Sequence, residues 1–341
     1  MATSEDVAQL AGVSRATVSR VLNGSARISE EARARVHAAI ATLKYEPDVV
    51  AQSLVRRRSR VIALSLLDKE DGFSLTRLGQ TANYFYIDML KCIEQAAAFL
   101  GYDLLLPSRP HGKHPENYIR SLQMRRVAGT IMLALAPTDP AIQSLLQTDI
   151  PTVFIDTMGQ GEHAISIRSD HMDAARQLAE HLLSLGHRRI AFIGGPTVDL
   201  AAMERLLGFQ QALAQTGISL DPELVLQSGW NTEEAYQAAH VLLGQRHDFT
   251  ALVAGSDLMA IGILRALHEH NLQVPRDISL TGFDDVILSQ YTTPPLTTVR
   301  QDTETMGREA IQRLDALIEG KGAASLVVPT QLVIRGSTGP V

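Results

Sequence analysis

Arg15, Ala16, Ser19, Arg20 and Asn23 are separated by one, three, one and three positions, the spacing of side chains along one face of an α-helix. Their chemistry suits nucleic acid. An arginine can donate two hydrogen bonds to guanine O6 and N7, and hydroxyls reach phosphates or base edges. Taken alone, the same face fits the solvated side of a small helical bundle, so residue type leaves both readings open. Other candidate chemistry is thin. His268-Glu269-His270 lacks zinc-protease spacing, because successive helix residues point apart. Gly194-Gly195 follows an apolar run, yet the third glycine and the later acid of a dinucleotide fingerprint are missing. There is no nucleophile elbow, P-loop or cysteine cluster, so no catalytic residue, metal ligand or cofactor is expected.

The elements that must carry the first set are three short helices. Val7, Leu10 and Ala11 form one apolar stripe, and Val18, Val21 and Leu22 form another after a break at Gly12. Thr3 with Asp6 caps the first helix, Ser14 caps the second, and Asn23-Gly24 ends it. Ser29 opens a third helix, with Glu30 and Glu31 at its positive end and Ala32, Val36, Ile40 and Leu43 as its buried stripe. Two helices around a tight glycine turn, backed by a third, make a helix-turn-helix. The first sixty residues hold ten Lys and Arg against six Asp and Glu, while the whole chain carries −6. A basic head on an acidic body predicts a polyanionic partner for the head alone.

Pro47 to Leu54 is too short for a stable isolated helix and is expected to order only on a partner. Arg56, Arg57, Arg58 and Arg60 follow as a basic linker with phosphate contacts. From Val61 the chain alternates apolar runs (61–67, 103–106, 129–133, 152–155, 189–193, 251–253, 278–282) with helical stretches (89–100, 172–185, 203–216, 233–244, 258–270, 303–319). Such alternation implies parallel sheets covered on both faces, and roughly a dozen strands favour two doubly wound lobes over one wide sheet. Ligands in these folds bind beyond the C-terminal ends of the strands, here between the lobes. Cys92 is the single cysteine, no signal peptide opens the chain, and no apolar run approaches a membrane span. A soluble, cytoplasmic protein is expected.

The stretch DVAQLAGVSRATVSRVLNG, Asp6 to Gly24, resembles the signature of the lac repressor family of bacterial regulators, and the likeness continues through residues 28–54. It implies that Arg15, Ala16 and Arg20 read bases while Ser14, Thr17, Ser19 and Asn23 hold phosphates. Residues 47–54 become a hinge helix, with Leu54 as an apolar wedge in the minor groove. LGHRRIAFIGGP (185–196), RLLGFQQAL (205–213), GSDLMAIGIL (255–264), VPRDISLTGFDD (274–285) and PPLTTVRQD (294–302) resemble core motifs of the same family, a core similar to periplasmic sugar-binding proteins with three chain crossings. The resemblance implies an effector site with Arg205, Asp284, Trp230, Asp156, Asp257 and the pair Phe85-Tyr86. Carboxylates, an arginine and an aromatic platform are also what a sugar, with its hydroxyl rim and apolar face, requires.

The expected architecture is therefore an all-α helix-turn-helix head (1–46), a hinge and basic linker (47–60) and an α/β core of two lobes (61–341). The N-lobe is expected over about 61–158 and 303–327, the C-lobe over about 159–302 and 328–341. The segment DKEDGFSLTRLGQTANY, between Leu67 and Phe85, is longer than the family's usual loop there. The chain stops soon after LVIRGSTG, without the C-terminal heptad helix of tetrameric relatives, so a homodimer is expected. The implied function is a repressor of carbohydrate-use genes, with no enzymatic activity, whose affinity for a pseudo-palindromic DNA operator is set by a small sugar. A nucleobase or other non-sugar effector is the alternative, and a stand-alone sugar-binding protein a more distant one.

Overall fold

The computed structural model describes residues 2–22, 28–45, 59–66, 84–107, 115–133 and 138–341. They form two compact units, residues 1–59 and 60–341. The first is the helical head. α1 (Ser4–Ala11) opens with a capping box: the Asp6 amide donates to Thr3 Oγ1 at 3.3 Å, and the Thr3 amide donates to Asp6 Oδ2 at 2.8 Å. These bonds hold the Asp6 carboxyl below its ordinary value. Gly12, at φ 61°, turns the chain into α2 (Arg15–Leu22), where the Thr17 amide donates to Ser14 Oγ at 3.2 Å. Ser29 caps α3 (Glu30–Leu43). Val7, Ala8, Ala11, Val18, Val21, Val36 and Ala39 are the buried core. Leu10 is 53% exposed, so the stripe of α1 is Val7, Ala8 and Ala11 rather than the expected Val7, Leu10 and Ala11. The larger side chain faces out because the bundle closes tightly around alanines. Asn23-Gly24 and the hinge segment 47–54 lie outside the described residues, as does the long loop to residue 83.

The second unit holds two parallel sheets. The first takes β1 (Val61–Leu66), β2 (Asp103–Leu105), β3 (Gly129–Leu133), β4 (Thr152–Ile155), β5 (Ala164–Ser169) and β11 (Leu326–Val328), in spatial order β11-β5-β4-β3-β1-β2. Met89 and Ile93 from α4 (Tyr84–Phe99), with Ile311 and Leu314 from α11 (Thr303–Ile318), pack on one face of this sheet. Tyr118 and Leu122 from α5 (Pro115–Met124), with Ile142 and Leu145 from α6 (Pro140–Leu146), pack on the other. The second sheet has the order β7 (Val225–Gln227), β6 (Ile190–Gly194), β8 (Ala251–Ala254), β9 (Ser279–Thr281). It is covered by α7 (His171–Ser184) and α8 (Leu200–Gln215) on one side and by α9 (Thr232–Gln245) and α10 (Asp257–Glu269) on the other. The apolar runs are continuous because strands buried on both faces have no solvent side to alternate toward.

The chain passes between the lobes three times: after Ser169, after Gln301 and after Val328. β10 (Thr298–Gln301) and β12 (Thr330–Val333) pair antiparallel beside two of those passages. β5 corrects the expected boundary. It pairs with β4 and β11, so the N-lobe continues to Ser169 and does not end near residue 158. Arg60 also departs from expectation: its Nη1 donates to the Leu100 carbonyl at 2.9 Å and its guanidinium lies over Tyr102, which ties it to the core rather than leaving it on a free linker. Among the described residues no helix is long and apolar enough to cross a membrane.

α9 and α10 run closest at Gly262, where a Cβ would stand 2.1 Å from the Thr232 carbonyl oxygen. Overpacking against backbone costs about 1–3 kcal/mol, so Gly262→Ala is expected to lower the melting temperature clearly. Gly244→Ala, in α9 with nothing within 4 Å of the new Cβ, is expected to gain up to about 1 kcal/mol from helix propensity. Melting curves of the two variants with opposite signs would confirm that backbone approach sets this packing. Equal shifts would refute it.

Candidate functional site

The C-terminal ends of both sheets face the same space. Asp156 follows β4, His171 follows β5, Gly195 follows β6, Gly255 follows β8, and Phe283 with Asp284 follows β9. Asp156 and Asp284 have φ values of 56° and 114°, backbone conformations that L side chains rarely adopt, and Asp285 beside them has 56°. Such positions persist only when surrounding bonds over-determine them. The Asp285 carboxylate is held by Arg300 Nε at 2.7 Å and by Arg335 Nη2 at 2.5 Å.

Arg205, in the second turn of α8, reaches into this space and is 5% exposed. Its Nη1 donates to the Gly255 carbonyl at 2.5 Å, its Nε donates to His171 Nδ1 at 3.4 Å, and its Nη2 lies 3.6 Å from Asp284 Oδ1. The guanidinium stacks on Phe283, 3.6 Å from the ring centroid, and stands 5.3 Å from the centre of Trp230. On its other side the His171 ring meets the N-lobe, with Nε2 3.3 Å from Asp156 Oδ1. Asp156 belongs to the N-lobe and Arg205 to the C-lobe, so this chain of bonds spans the lobes. Nearby, Arg168 Nη1 from β5 reaches both carboxylate oxygens of Glu204 on α8 at 2.7 Å, a second link of the same kind.

Burial disfavours the charge of each of these groups, and neighbours decide the outcome. Burial pushes the Asp284 carboxyl up to about 7, against the pull of Arg205 and of Gln301, whose Nε2 donates to Oδ1 at 2.7 Å. Burial also opposes the ionisation of Asp156, but His171 and Arg205 outweigh it and hold that carboxyl below its ordinary value. Burial lowers the hold of Arg205 on its proton, while Asp284 and Asp156 work the other way. The Tyr86 hydroxyl is shifted upward by burial and by the carboxylates of Asp156, Asp199 and Asp284, which places it in the same field.

Trp230 is fixed at two points. Its Nε1 donates to Asp199 Oδ2 at 2.7 Å, and its ring lies so close over Gly195 that a Cβ there would stand 2.3 Å from Cζ2. That is the structural use of Gly195, whereas a Cβ on Gly194 would stand 2.7 Å from Phe192 Cε1. Asp199 sits at the N-cap of α8, yet its carboxylate serves the indole and makes no cap bond.

Of the expected effector residues, Arg205, Asp284, Asp156, Tyr86 and Trp230 come together here. Phe85 and Asp257 take a supporting place. Phe85 is 6% exposed in the N-lobe core and meets Tyr86 edge-on at 5.2 Å. Asp257 is fully buried, accepting from Thr298 Oγ1 at 2.6 Å and from the Val286 amide at 2.9 Å. Burial, with the Asp284 charge, pushes its carboxyl well above its usual range. His171, Phe283, Asp199 and Gln301 were not anticipated. Gln301 Oε1 is a buried acceptor with no hydrogen-bond partner among the described residues. Phe283 within the motif GFDD and Gln301 within PPLTTVRQD lie in motifs that carry a signal; His171 and Asp199 do not.

In the head, Arg15, Ala16 and Arg20 are exposed on one face of α2, with Thr17 and Ser19 half-buried at its edge. Arg15 Nε donates to Ser4 Oγ at 3.0 Å, and the Ser14 and Thr17 hydroxyls lie 2.9 Å apart. Asn23 and Leu54 lie outside the described residues. No group of three or more metal-binding side chains occurs among the described residues.

A model of bacterial regulatory proteins of the lacI family matches residues 3–48, and one of a periplasmic binding protein-like domain matches residues 179–338. The chain is 34% identical to the HTH-type transcriptional regulator CelR of Thermobifida fusca, over 98% of both proteins. The solved lac repressor dimer bound to operator and the anti-inducer ONPF matches with a TM-score of 0.85 at 31% identity, over 99% of each chain. The CelR–cellobiose complex matches with a TM-score of 0.74 at 32% identity, over 99% of this chain and 100% of that one.

The raised carboxyl of Asp284 has a measurable consequence. In the folded chain it titrates near 7, against 3.8 as its ordinary value, so between those values the folded state binds the extra proton. Stability then falls as pH rises through this window. Raising the pH from 5 to 8 is expected to cost the wild-type chain on the order of 2 kcal/mol that Asp284→Asn does not lose. Melting curves of the two chains at both pH values check it. A difference that does not grow with pH would mean that Asp284 ionises normally.

Proposed function

The chain belongs to the lacI family of bacterial regulatory proteins, and from that premise we propose a homodimeric repressor of carbohydrate-use genes that a small, uncharged sugar releases from its operator. That it is a helix-turn-helix transcriptional regulator follows from its relatives along nearly the whole chain. The effector, the operator contacts and the direction of the response are the proposal.

One observation carries the effector reading: the pinned face of Trp230 stands beside a buried arginine flanked by two carboxylates from different lobes. A pyranose offers an apolar face to an indole and hydroxyls that both donate and accept, which suits Arg205, Asp284 and Asp156 together. A phosphate or carboxylate would meet Asp156, Asp199 and Asp284 with a single guanidinium to offset them. The complex of CelR with cellobiose supports a carbohydrate here as well. A sugar drawing on both lobes would change how Asp156 of one meets Arg205 of the other, and so the placement of the heads. A coupling of about 1–3 kcal/mol is enough for a 5- to 150-fold change in operator affinity.

On the DNA side, α2 enters the major groove with Arg15, Ala16 and Arg20 on base edges and Ser14, Thr17, Ser19 and Asn23 on phosphates. Leu54 wedges the minor groove at the centre of the operator.

Thermal-shift screening of the whole chain against mono- and disaccharides, sugar acids and purines tests the effector. A ligand at 100 times its dissociation constant stabilises by about 2.7 kcal/mol, and a sugar is expected to do so. A shift with purines alone would replace the effector class and keep the regulator. Arg20→Ala is expected to lose about 1–3 kcal/mol of preference for operator over unrelated DNA, read by fluorescence anisotropy, with the sugar response of the core intact. Unchanged discrimination would remove α2 as the reader.

A further inference from the structure

His268-Glu269-His270 cannot share one metal within its own helix, but the fold supplies a partner from another. α9 and α10 run parallel from the close approach at Gly262, which lies against Thr232. Eight residues further along each helix stand His240 and His270. The residues between them form a brace. The Arg265 guanidinium lies 4.2 Å above the Tyr236 ring, the Tyr236 hydroxyl donates to Glu269 Oε2 at 2.7 Å, and Arg265 Nε donates to Glu269 Oε1 at 2.9 Å. These contacts engage Glu269 and set Tyr236 against His240, with ring centroids 5.9 Å apart.

Beyond that brace, His240 Nδ1 and His270 Nε2 face each other at 3.2 Å. Their ring centroids are only 4.8 Å apart at an interplanar angle of 65°, so the rings lean together rather than meeting end to end. Two nitrogens at that separation, each about 2.1 Å from a shared ion, subtend about 100° at it, between square-planar and tetrahedral angles. His240 is exposed and His270 half-buried, which leaves solvent access for the remaining positions. His270 is also the C-cap of α10, where the unpaired carbonyls favour positive charge.

We propose that His240 and His270 form an open two-histidine site for a divalent transition metal of the zinc, nickel or copper type on the outer face of the C-lobe, with water completing the coordination. The site is independent of the effector reading. In the free pair one ring donates a proton to the other. On binding, that ring moves its proton to its second nitrogen through solvent, so a neutral pair takes up the ion without net proton release. Because the two ligands come from different helices, a bound ion clamps α9 to α10 beyond the point where Gly262 brings them together.

Equilibrium dialysis of the full-length chain against Zn²⁺ at pH 7.5 tests this. One ion per chain is expected, with affinity falling at least about tenfold in His240→Ala and likewise in His270→Ala. The histidine-to-glutamine variants and metal-free melting curves exclude misfolding as the cause. His268→Ala and Cys92→Ser, which remove the other imidazole of the His268-Glu269-His270 run and the single thiol, are expected to bind as the wild type does. Absence of saturable binding would overturn the site. So would unchanged affinity in both the His240 and His270 variants, or loss only in the His268 or Cys92 variant.

Discussion

A guanidinium buried at the junction of two lobes must be satisfied by whatever surrounds it, and Arg205 organises this core through that requirement. No single element could meet it. The β8 end offers a carbonyl at Gly255, the β9 end offers the face of Phe283 and the carboxylate of Asp284, and His171 relays to Asp156 from the other lobe. Each partner sits just past the C-terminal end of a strand, where a parallel sheet leaves its last residues free to turn toward a ligand. The doubly wound architecture is thus the scaffold that lets four chain segments converge around one side chain.

The close approaches around that side chain explain several small residues. Gly255 packs on the Gly194 backbone, and a Cβ on Gly282 would stand 2.2 Å from Asp257 Oδ1. Asp257, held by Thr298 Oγ1 and the Val286 amide, ties the start of α10 to β10 and to the turn after Asp285. It therefore fixes where Asp284 and Gln301 stand, although it does not face the cleft itself. Phe85 does the same for Tyr86 in the other lobe.

The sequence was most legible where one chemical requirement falls within a short segment. The capping box of α1 and the apolar runs of the buried strands are local patterns, and they appear as expected. Contributions assembled from distant segments were less legible. β5 is recognised only by its pairing with β4 and β11, the latter some 160 residues later in the chain. His171 has no motif of its own and gains its role from standing between Asp156 and Arg205. Asp199 looks like a helix cap and serves Trp230 instead. Leu10 faces out because alanines let the three head helices close tightly, a packing choice that periodicity does not encode.

The bonds of the site include a short set and a longer set. Trp230 to Asp199, Gln301 to Asp284 and Arg168 to Glu204 all measure 2.7 Å. Around Arg205 the bond to the Gly255 carbonyl is short, at 2.5 Å, and three other contacts are longer: 3.3 Å from His171 to Asp156, 3.4 Å from Arg205 to His171 and 3.6 Å from Arg205 to Asp284. Contacts of that length in a buried setting leave polar capacity unused, which an inserted hydroxyl can take up by donating to a carboxylate and accepting from the guanidinium. A ligand can shift the balance between two lobe arrangements only by its difference in affinity for them. On the proposed sugar reading, the longer Asp156–His171 contact between the lobes would supply part of that difference. On the same reading, the bonds to Asp199 and Gln301 would keep the face of Trp230 and the carboxylate of Asp284 in place, and hydroxyl recognition would draw on the Asp156–His171–Arg205 chain, where one lobe meets the other.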